Sequence, residues 1–320
     1  MTAPTSRTLT ATRRGPVALS VDLTAGDIKV ITDPDRTVAE VTVTAHGDDR
    51  AVHDAVRDAG LRYDESTGEL TVKVDAPAGG VTVIGGSQTI IGTGGATVLQ
   101  SFGDIAAGVT VNGVEITGDG IVSFGRVTVN GVEITGRGVT VGRVEITAHV
   151  PEGSIVAAVT RSAHLECSGE FAVVGFTSTS GDLSVGGVGT LRADTTSGDI
   201  TAAIVDGAAI VRSVSGDVHL GRADDVTANA TSGDITVGDF AGRAEVSSVS
   251  GDVRVRATEG GIITARSVSG DVTVTATGTA LAEGLTVNAT SRTGRVTTPT
   301  DHPNDTTSHA RRPRRTNGDA

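Results

Sequence analysis

The sequence contains very few of the residues on which globular enzymes and secreted domains usually depend. Cys167 is its single cysteine, so an intrachain disulfide is impossible and a cysteine-based zinc site is not expected. Aromatic residues make up only 2% of the chain, with no tryptophan and one tyrosine, Tyr63. Wide aromatic side chains usually fill a large globular core, so this composition favours a thin core of small branched side chains.

Long apolar segments and excess positive charge are also missing. No stretch approaches 18 consecutive apolar residues, and no apolar segment follows Arg13 and Arg14, so we predict neither a membrane span nor a signal peptide. By default this places the protein in the cytoplasm. The net charge of −12 over 320 residues argues against a general nucleic-acid binder, because phosphates would be repelled.

Residues 1–78 show the pattern of a compact β-rich module with one helix. Alternating apolar residues predict strands at 17–23, 28–31, 41–44, 61–64 and 70–74. Apolar residues at helical spacing from Ala51 to Ala59 predict a short helix that ends at Gly60. A stack of strands needs an atypical unit to cover its first edge, and we expect this module to be that cap.

Residues 79–150 contain a second kind of repeat. The ten residues 109–118 recur without change at 127–136, a shift of 18 residues. Asn112-Gly113 and Asn130-Gly131 are typical of two-residue hairpins. The period of 18 also fits the spacing of the later repeats, and on that ground we favour tight corners between stacked strands.

From about residue 160 a Ser-Gly-Asp step recurs every 17 to 19 residues, clearest over 178–275. Its glycines are Gly181, Gly198, Gly216, Gly233, Gly251 and Gly270. Each period supplies two short strands and two turns, and one coil alone cannot bury its apolar face, so the coils are expected to stack as a β-solenoid over 79–296. We expect glycine here because the turn requires a positive φ. The tail, 297–320, has no apolar periodicity, carries the basic cluster 311–315, and is predicted to be disordered.

These motifs resemble those of the bacterial putative-adhesin family, a β-strand-repeat domain of unknown function. The resemblance rests on residues 15–23, on Ala25-Gly26-Asp27-Ile28 and on the Ser-Gly-Asp repeats, and it covers most of 15–296. It implies an all-β, right-handed parallel β-solenoid without known catalytic residues. Together with the N-terminal pattern, the expected fold is such a solenoid behind a small β-rich cap with one short helix.

The column of aspartates is the first candidate site. It comprises Asp182, Asp199, Asp217, Asp234, Asp252 and Asp271. In-register coils would place these carboxylates about 5 Å apart, where calcium could relieve their repulsion. The alternative, which we favour, is that each aspartate accepts hydrogen bonds from turn amides while its charge stays solvated.

Other chemistry finds little support in the sequence. His164, His219, Asp217 and Asp234 could form a hydrolytic triad only on paper, because no Gly-x-Ser-x-Gly elbow is present. The glycine-rich run at 85–95 lacks the lysine and the helix of a phosphate-binding loop. No cofactor is predicted.

The functional expectation is therefore a non-enzymatic structural or interaction protein. Its faces would present threonine, serine, aspartate and arginine side chains to a protein or polysaccharide. Outward arginines are expected at Arg212, Arg222, Arg243, Arg254 and Arg256. The alternatives are an adhesin-like binder at the cell surface or envelope, a calcium-binding β-roll and an enzyme of unrecognised type. An open edge at the final coil, 287–296, makes end-to-end self-association conceivable unless the tail covers it.

Overall fold

A computed structural model describes residues 5–47, 49–76 and 142–299, and between them only the backbone of six short strands. The chain is all-β apart from two helices, α1 (Arg50–Arg57) and α2 (Gly278–Ala282). Seventeen strands form one long unclosed sheet. They are β1 (Ser6–Thr10), β2 (Ala18–Leu23), β3 (Asp27–Asp33), β4 (Glu40–Gly47), β5 (Gly60–Asp64), β6 (Glu69–Val74), β13 (Gly142–Pro151), β14 (Ile155–Thr160), β15 (His164–Ser178), β16 (Leu183–Thr195), β17 (Ile200–Ser213), β18 (Val218–Ala230), β19 (Ile235–Ser248), β20 (Val253–Ser267), β21 (Val272–Ala276), β22 (Thr286–Ser291) and β23 (Val296–Thr297).

Strands β15 to β20 are long because each runs through two walls of the stack. The segment after a Ser-Gly-Asp step lies in wall A, and the segment before the next step lies in wall B. Between the two segments the pairing register shifts, as between Val188 and Leu191, and the strand crosses from one wall to the other. Successive coils pair in parallel, with Leu183 opposite Ile200 and Ile200 opposite Val218.

The N-terminal strands join this same stack. On wall A, β3 pairs in parallel with both β13 and β15, and on wall B, β2 pairs in parallel with both β6 and β14. Strands from both sides of residue 78 therefore share one sheet. The domain boundaries that we inferred from the sequence stay predictions, as does the right-handed winding.

Helix α1 and the antiparallel strands close the N-terminal end of the stack. Asp49 begins the helix by accepting a hydrogen bond from the Ala51 amide at 2.9 Å, as an N-cap residue should. Val52 and Val56 lie on the buried face of α1. Strands β1 and β4 pair antiparallel beside β13, and β5 pairs antiparallel with β6. The predicted helix and strands of this region are confirmed.

The segment between β6 and β13 forms separate small sheets. Its strands are β7 (Thr82–Gly85), β8 (Gln88–Ile90), β9 (Val122–Ser123), β10 (Arg126–Val129), β11 (Val132–Ile134) and β12 (Val139–Thr140). Strands β10 and β11 pair antiparallel with Val129 opposite Val132, so the chain reverses direction between them. Our preference for a solenoid corner is wrong for this copy of the repeat, because Asn-Gly favours the hairpin wherever its two flanking strands can pair directly. The first copy, 109–118, lies outside the described residues.

The core is a set of columns, each contributing one small or branched side chain per coil. Residues such as Leu183, Ile200 and Val218 on wall A and Val211 and Val246 on wall B are at most 1% exposed. A narrow space of this kind admits few rings, which accounts for the scarcity of aromatic residues. Phe176 and Phe240 are buried at positions where neighbouring coils carry smaller residues.

A second helix, α2, was not expected from the sequence. It replaces the wall-to-wall crossing between β21 and β22, and the Thr277 side chain accepts a hydrogen bond from the Ala280 amide at its start. Five residues are too few to show a helical apolar period. The sequence did offer an indication of this helix, because Thr277, a residue suited to an N-cap, lies shortly before an Ala-Leu-Ala run.

Candidate functional site

Five of the six Ser-Gly-Asp corners are preceded by a buried hydroxyl, and at the sixth corner Ala230 takes that position. This hydroxyl lies three residues before the glycine and at most corners accepts a hydrogen bond from the glycine amide, as Ser178 does from Gly181 at 2.8 Å and Ser248 does from Gly251 at 3.0 Å. The Ser213 hydroxyl instead donates to the Gly216 carbonyl at 2.8 Å. The Ser248 hydroxyl also donates to the Gly233 carbonyl of the preceding coil at 3.1 Å. The motif is therefore Ser/Thr-x-Ser-Gly-Asp, and its first residue was missed although the sequence shows it.

The corner glycines are required by contact between coils. A Cβ atom added to Gly198, Gly216 or Gly233 would lie 1.9, 1.9 or 2.0 Å from the carbonyl oxygen of the glycine one coil earlier. None of the six has a positive φ in the range that favours glycine. The expected reason for these glycines was therefore wrong. Two backbones approach so closely that no side chain fits between them.

The aspartates form a ladder of hydrogen bonds along the stack. One carboxylate oxygen, Oδ1, accepts the backbone amide of the aspartate in the next coil. The Asp182 carboxylate accepts from Asp199 at 2.9 Å, and those of Asp199 and Asp217 accept from the following residues at 2.8 Å. The amides of Asp252, Asp271 and Arg295 extend the ladder at 2.7, 2.8 and 2.7 Å. Each aspartate thus satisfies an amide of the neighbouring coil.

An arginine binds within the row of aspartates, and a histidine precedes it. The Arg254 guanidinium binds Asp234 at 3.1 Å and Asp252 at 2.7 Å, and the hydrogen bond that it donates to Asp234 in particular raises the pKa of Arg254. His164 occupies the ladder position before Asp182, whose amide lies 3.1 Å from its Nδ1 atom. In the described part of the chain, no group of three or more His, Cys, Asp or Glu side chains is arranged to hold a metal ion. Calcium binding by the column stays a hypothesis.

The outer surface of wall A across β16 to β19 carries small side chains apart from His219. We call it the flat face, and its residues are Ser184, Gly186, Thr201, Ala203, His219, Gly221, Thr236 and Gly238. Corresponding residues repeat in register at the strand spacing of about 4.8 Å. The aspartate ladder borders this face. Among the described residues no ion pair is found for Asp199 or Asp217, so the border is acidic.

The outward arginines that we expected are mostly engaged in ion pairs. Arg212 binds Asp194 at 3.5 Å, Arg222 binds Asp206 at 3.4 Å, and Arg256 pairs with Asp239. The side chains of these three arginines are more than half exposed, so each pair contributes little to stability. These pairs neutralise the arginines concerned, so the acidic border of the flat face is not offset by them.

The described residues do not form the hydrolytic triad that His164, His219, Asp217 and Asp234 could have supplied. The His164 Nδ1 atom lies 3.2 Å from the Asp182 carboxylate, away from His219. His219 is exposed on the flat face, and no hydrogen bond joins it to Asp217 or Asp234 in the described part of the chain. Cys167 is buried in the core column of Val185, and burial raises the pKa of its thiol to about 12. It behaves as a small apolar side chain, as expected.

Comparison with known proteins places this architecture in a family. The model of the Toastrack DUF4097 family matches residues 17–320. The chain belongs to this family. No curated protein matches the chain. Within the described residues of this Toastrack chain, no helix has the length and apolar character needed to cross a membrane.

Several solved structures resemble the Toastrack chain over most of its length. Two are from Parabacteroides merdae and Parabacteroides distasonis, each described as a "putative adhesin", with 9% and 13% identity and TM-scores of 0.40 and 0.39. They cover 92% and 93% of this chain, which spans 95% and 96% of theirs. A third from Bacteroides fragilis, with the same description, has 15% identity, a TM-score of 0.36 and coverage of 93% and 97%.

Proposed function

We propose that this chain is a non-enzymatic, adhesin-like interaction protein that binds an extended macromolecule across the flat face. The observation that carries the proposal is the repetition over four adjacent coils of a hydroxyl-bearing residue, replaced once by His219, followed two residues later by glycine or alanine. A partner whose own groups repeat along its length can meet several equivalent positions at once, and many weak contacts then add through multivalency. The acidic border favours partners with cationic or hydroxyl groups.

The test is binding of the full chain to arrays of purified polysaccharides and of extended peptides. The double variant Thr201→Glu with Thr236→Glu places two bulky charges on the flat face and should abolish binding. The matched control, Thr227→Glu with Thr264→Glu, makes the same change on the outer surface of wall B and should leave binding intact. Equal loss in both variants, or no binding by the wild-type chain, would contradict the proposal.

Two cellular settings are compatible with such a module. We place it in the cytoplasm by default, and the alternative is the cell surface or envelope. Fractionation of the native cells separates these settings, because recovery in the soluble cytoplasmic pool alone would remove the surface setting. Binding to polysaccharides exposed on intact cells, with recovery in the surface fraction, would instead favour the adhesin-like role.

A further inference from the structure

The two ends of the stack differ in how their last strands are covered. At the N-terminal end, helix α1 buries Val52 and Val56, and antiparallel strands lie outside the parallel ones. At the C-terminal end, β22 pairs with β20 on one side, and no strand among the described residues pairs with its other side. That side presents the unpaired amides and carbonyls of an edge strand.

The inner side chains of the last coil are exposed where their equivalents are buried. Val296 is 40% exposed, while Val272, opposite it in β21, is fully buried. Val287 is half-buried, while Ile263, its partner in β20, is fully buried. Leu281, 36% exposed, lies in the same last coil. This end is therefore an unfinished core layer, with both its apolar and its backbone groups available.

Residues 300–320 have the wrong chemistry to complete that layer. Residues 300–320 begin immediately after the last described residue, Pro299, and contain no Val, Ile, Leu, Met or aromatic residue. Their apolar content is limited to two alanines and two prolines, and the segment carries four arginines. Proline cannot donate to a strand ladder, and charged side chains are costly in a core.

The edge strand itself carries none of the usual protection against pairing. Its sequence, Thr-Val-Asn-Ala-Thr-Ser, has no charge and no proline. At the corner that follows, Arg295 takes the ladder position that aspartates hold in the earlier coils, and its amide bonds to Asp271 at 2.7 Å. The row of negative charge therefore stops before the end, and two such ends can approach without aligning two acidic rows.

We propose that the C-terminal end of the stack is an interface between two copies of this chain. In a twofold interface the same surface patch of each copy contacts the other. A twofold axis would therefore pair β22 antiparallel with β22 of the second copy. The half-buried Val287 and the exposed Val296 of each copy would then face the other copy and complete the core layer. The two solenoids would extend in opposite directions from the joint, with both flat faces free for binding.

The experiment is sedimentation of the full chain from about 1 to about 100 μM, with hydrogen exchange of the same samples. The expected species has twice the 32.0 kDa chain mass, and amide protection in β22 rises with concentration. Val296→Asp should raise the dissociation constant at least about tenfold, because it would bury an unpaired carboxylate in the joint. Val159→Asp is the matched control. It makes the same change at a 56% exposed position on wall B, and should leave the mass unchanged.

A chain that stays monomeric throughout this range overturns the proposal, whatever segment covers the edge. A dimer that survives Val296→Asp, or that dissociates with Val159→Asp, places the interface elsewhere and also overturns it. Thermal melts of both variants show whether the monomers remain folded. If Val296→Asp unfolds the chain, Thr290→Lys, an outward change on the same edge strand, serves as the second variant and should weaken the dimer through like-charge contact.

Discussion

Replacing one corner glycine by alanine should reveal how closely the coils approach each other. In Gly216→Ala the new Cβ atom would lie 1.9 Å from the Gly198 carbonyl oxygen and 2.5 Å from its carbon. Non-bonded carbon and oxygen atoms keep at least about 3 Å apart, so the two coils must separate locally by about 1 Å. Since the strands above and below hold both backbones in register, this movement cannot be confined to one side chain.

The cost can be estimated from the hydrogen bonds on either side of the glycine. The Ser215 amide donates to the Thr196 carbonyl at 2.8 Å, and the Asp217 amide donates to the Asp199 carboxylate at 2.8 Å. A separation of about 1 Å carries both beyond hydrogen-bonding distance. Each bond contributes about 1 kcal/mol, and the residual crowding adds a similar amount, so we expect a loss of about 3 kcal/mol.

The assay is equilibrium urea unfolding followed by circular dichroism and by a second probe, because repeat arrays can depart from two-state behaviour. Gly278→Ala is the matched control. A Cβ atom there meets no atom within 4 Å, and alanine favours the helix that Gly278 begins, so stability should stay the same or rise. If Gly216→Ala changes the free energy of unfolding by less than about 0.5 kcal/mol, the contact argument fails.

A further pair of variants separates close approach from a positive φ. Asparagine tolerates the left-handed region better than alanine does. At Gly68, with a φ of +71° and no atom within 4 Å of a Cβ, asparagine should therefore be less harmful than alanine. At Gly216 it should be at least as harmful as alanine. Rescue of Gly216 by asparagine would restore the positive-φ interpretation that the structure contradicts.

Four further tests address the corner hydroxyls, the aspartate ladder, calcium binding and the burial of Cys167. Ala230 breaks the column of buried hydroxyls. In Ala230→Ser the new hydroxyl should accept a hydrogen bond from the Gly233 amide and raise the free energy of unfolding, measured by urea titration, by about 1 kcal/mol. A loss of stability would contradict the role assigned to the hydroxyl. Asp217→Ala removes the acceptor of the Asp234 amide and should cost about 1 kcal/mol, whereas Asp217→Asn keeps an acceptor oxygen and should cost less than half of that. For the wild-type chain we expect the same melting temperature in calcium and in a chelator. A rise of the melting temperature in calcium would support the hypothesis that the aspartate column binds calcium. Because burial raises the pKa of Cys167 to about 12, its alkylation at pH 8 should be slow in the folded chain and fast in denaturant; fast labelling of the folded chain would refute its burial.

The number of residues per coil could be predicted because the same residue types recur at the same position of each coil. The Ser-Gly-Asp spacing and the alternation after it, as in Val218 and Leu220, indicate one coil per 17 to 19 residues without any knowledge of contacts. The direction of each hydrogen bond could not be predicted in the same way. Whether Asp199 bonds to its own turn or to the next coil depends on the spacing between backbones, which no single repeat encodes.

The segment 79–141 shows where period alone misleads. Its shift of 18 residues equals the coil length, yet β10 and β11 form a hairpin instead of successive layers. A hairpin satisfies its hydrogen bonds locally with a two-residue turn, so it can form wherever Asn-Gly joins two alternating segments. The pairing of the outward arginines was equally hard to predict, since ion pairs such as Arg212 with Asp194 join residues of neighbouring coils.

The last corner shows that the geometry of a corner is kept even where the Ser-Gly-Asp sequence and its spacing are not. Gly294 follows Gly270 by 24 residues because α2 lengthens the last coil, and the residue after it is Arg295 instead of aspartate. Even so, its amide bonds to the Ser291 hydroxyl at 2.9 Å, and an added Cβ would lie 2.1 Å from the Gly270 carbonyl oxygen, as at the regular corners. The glycine is thus what the geometry requires, because it faces the coil before, and the hydroxyl stabilises the corner wherever it is present. The aspartate is required only where another coil follows in the chain to donate its amide. Its absence from the last corner is therefore what the ladder predicts for the last coil among the described residues, where the proposed second copy would supply the next strand.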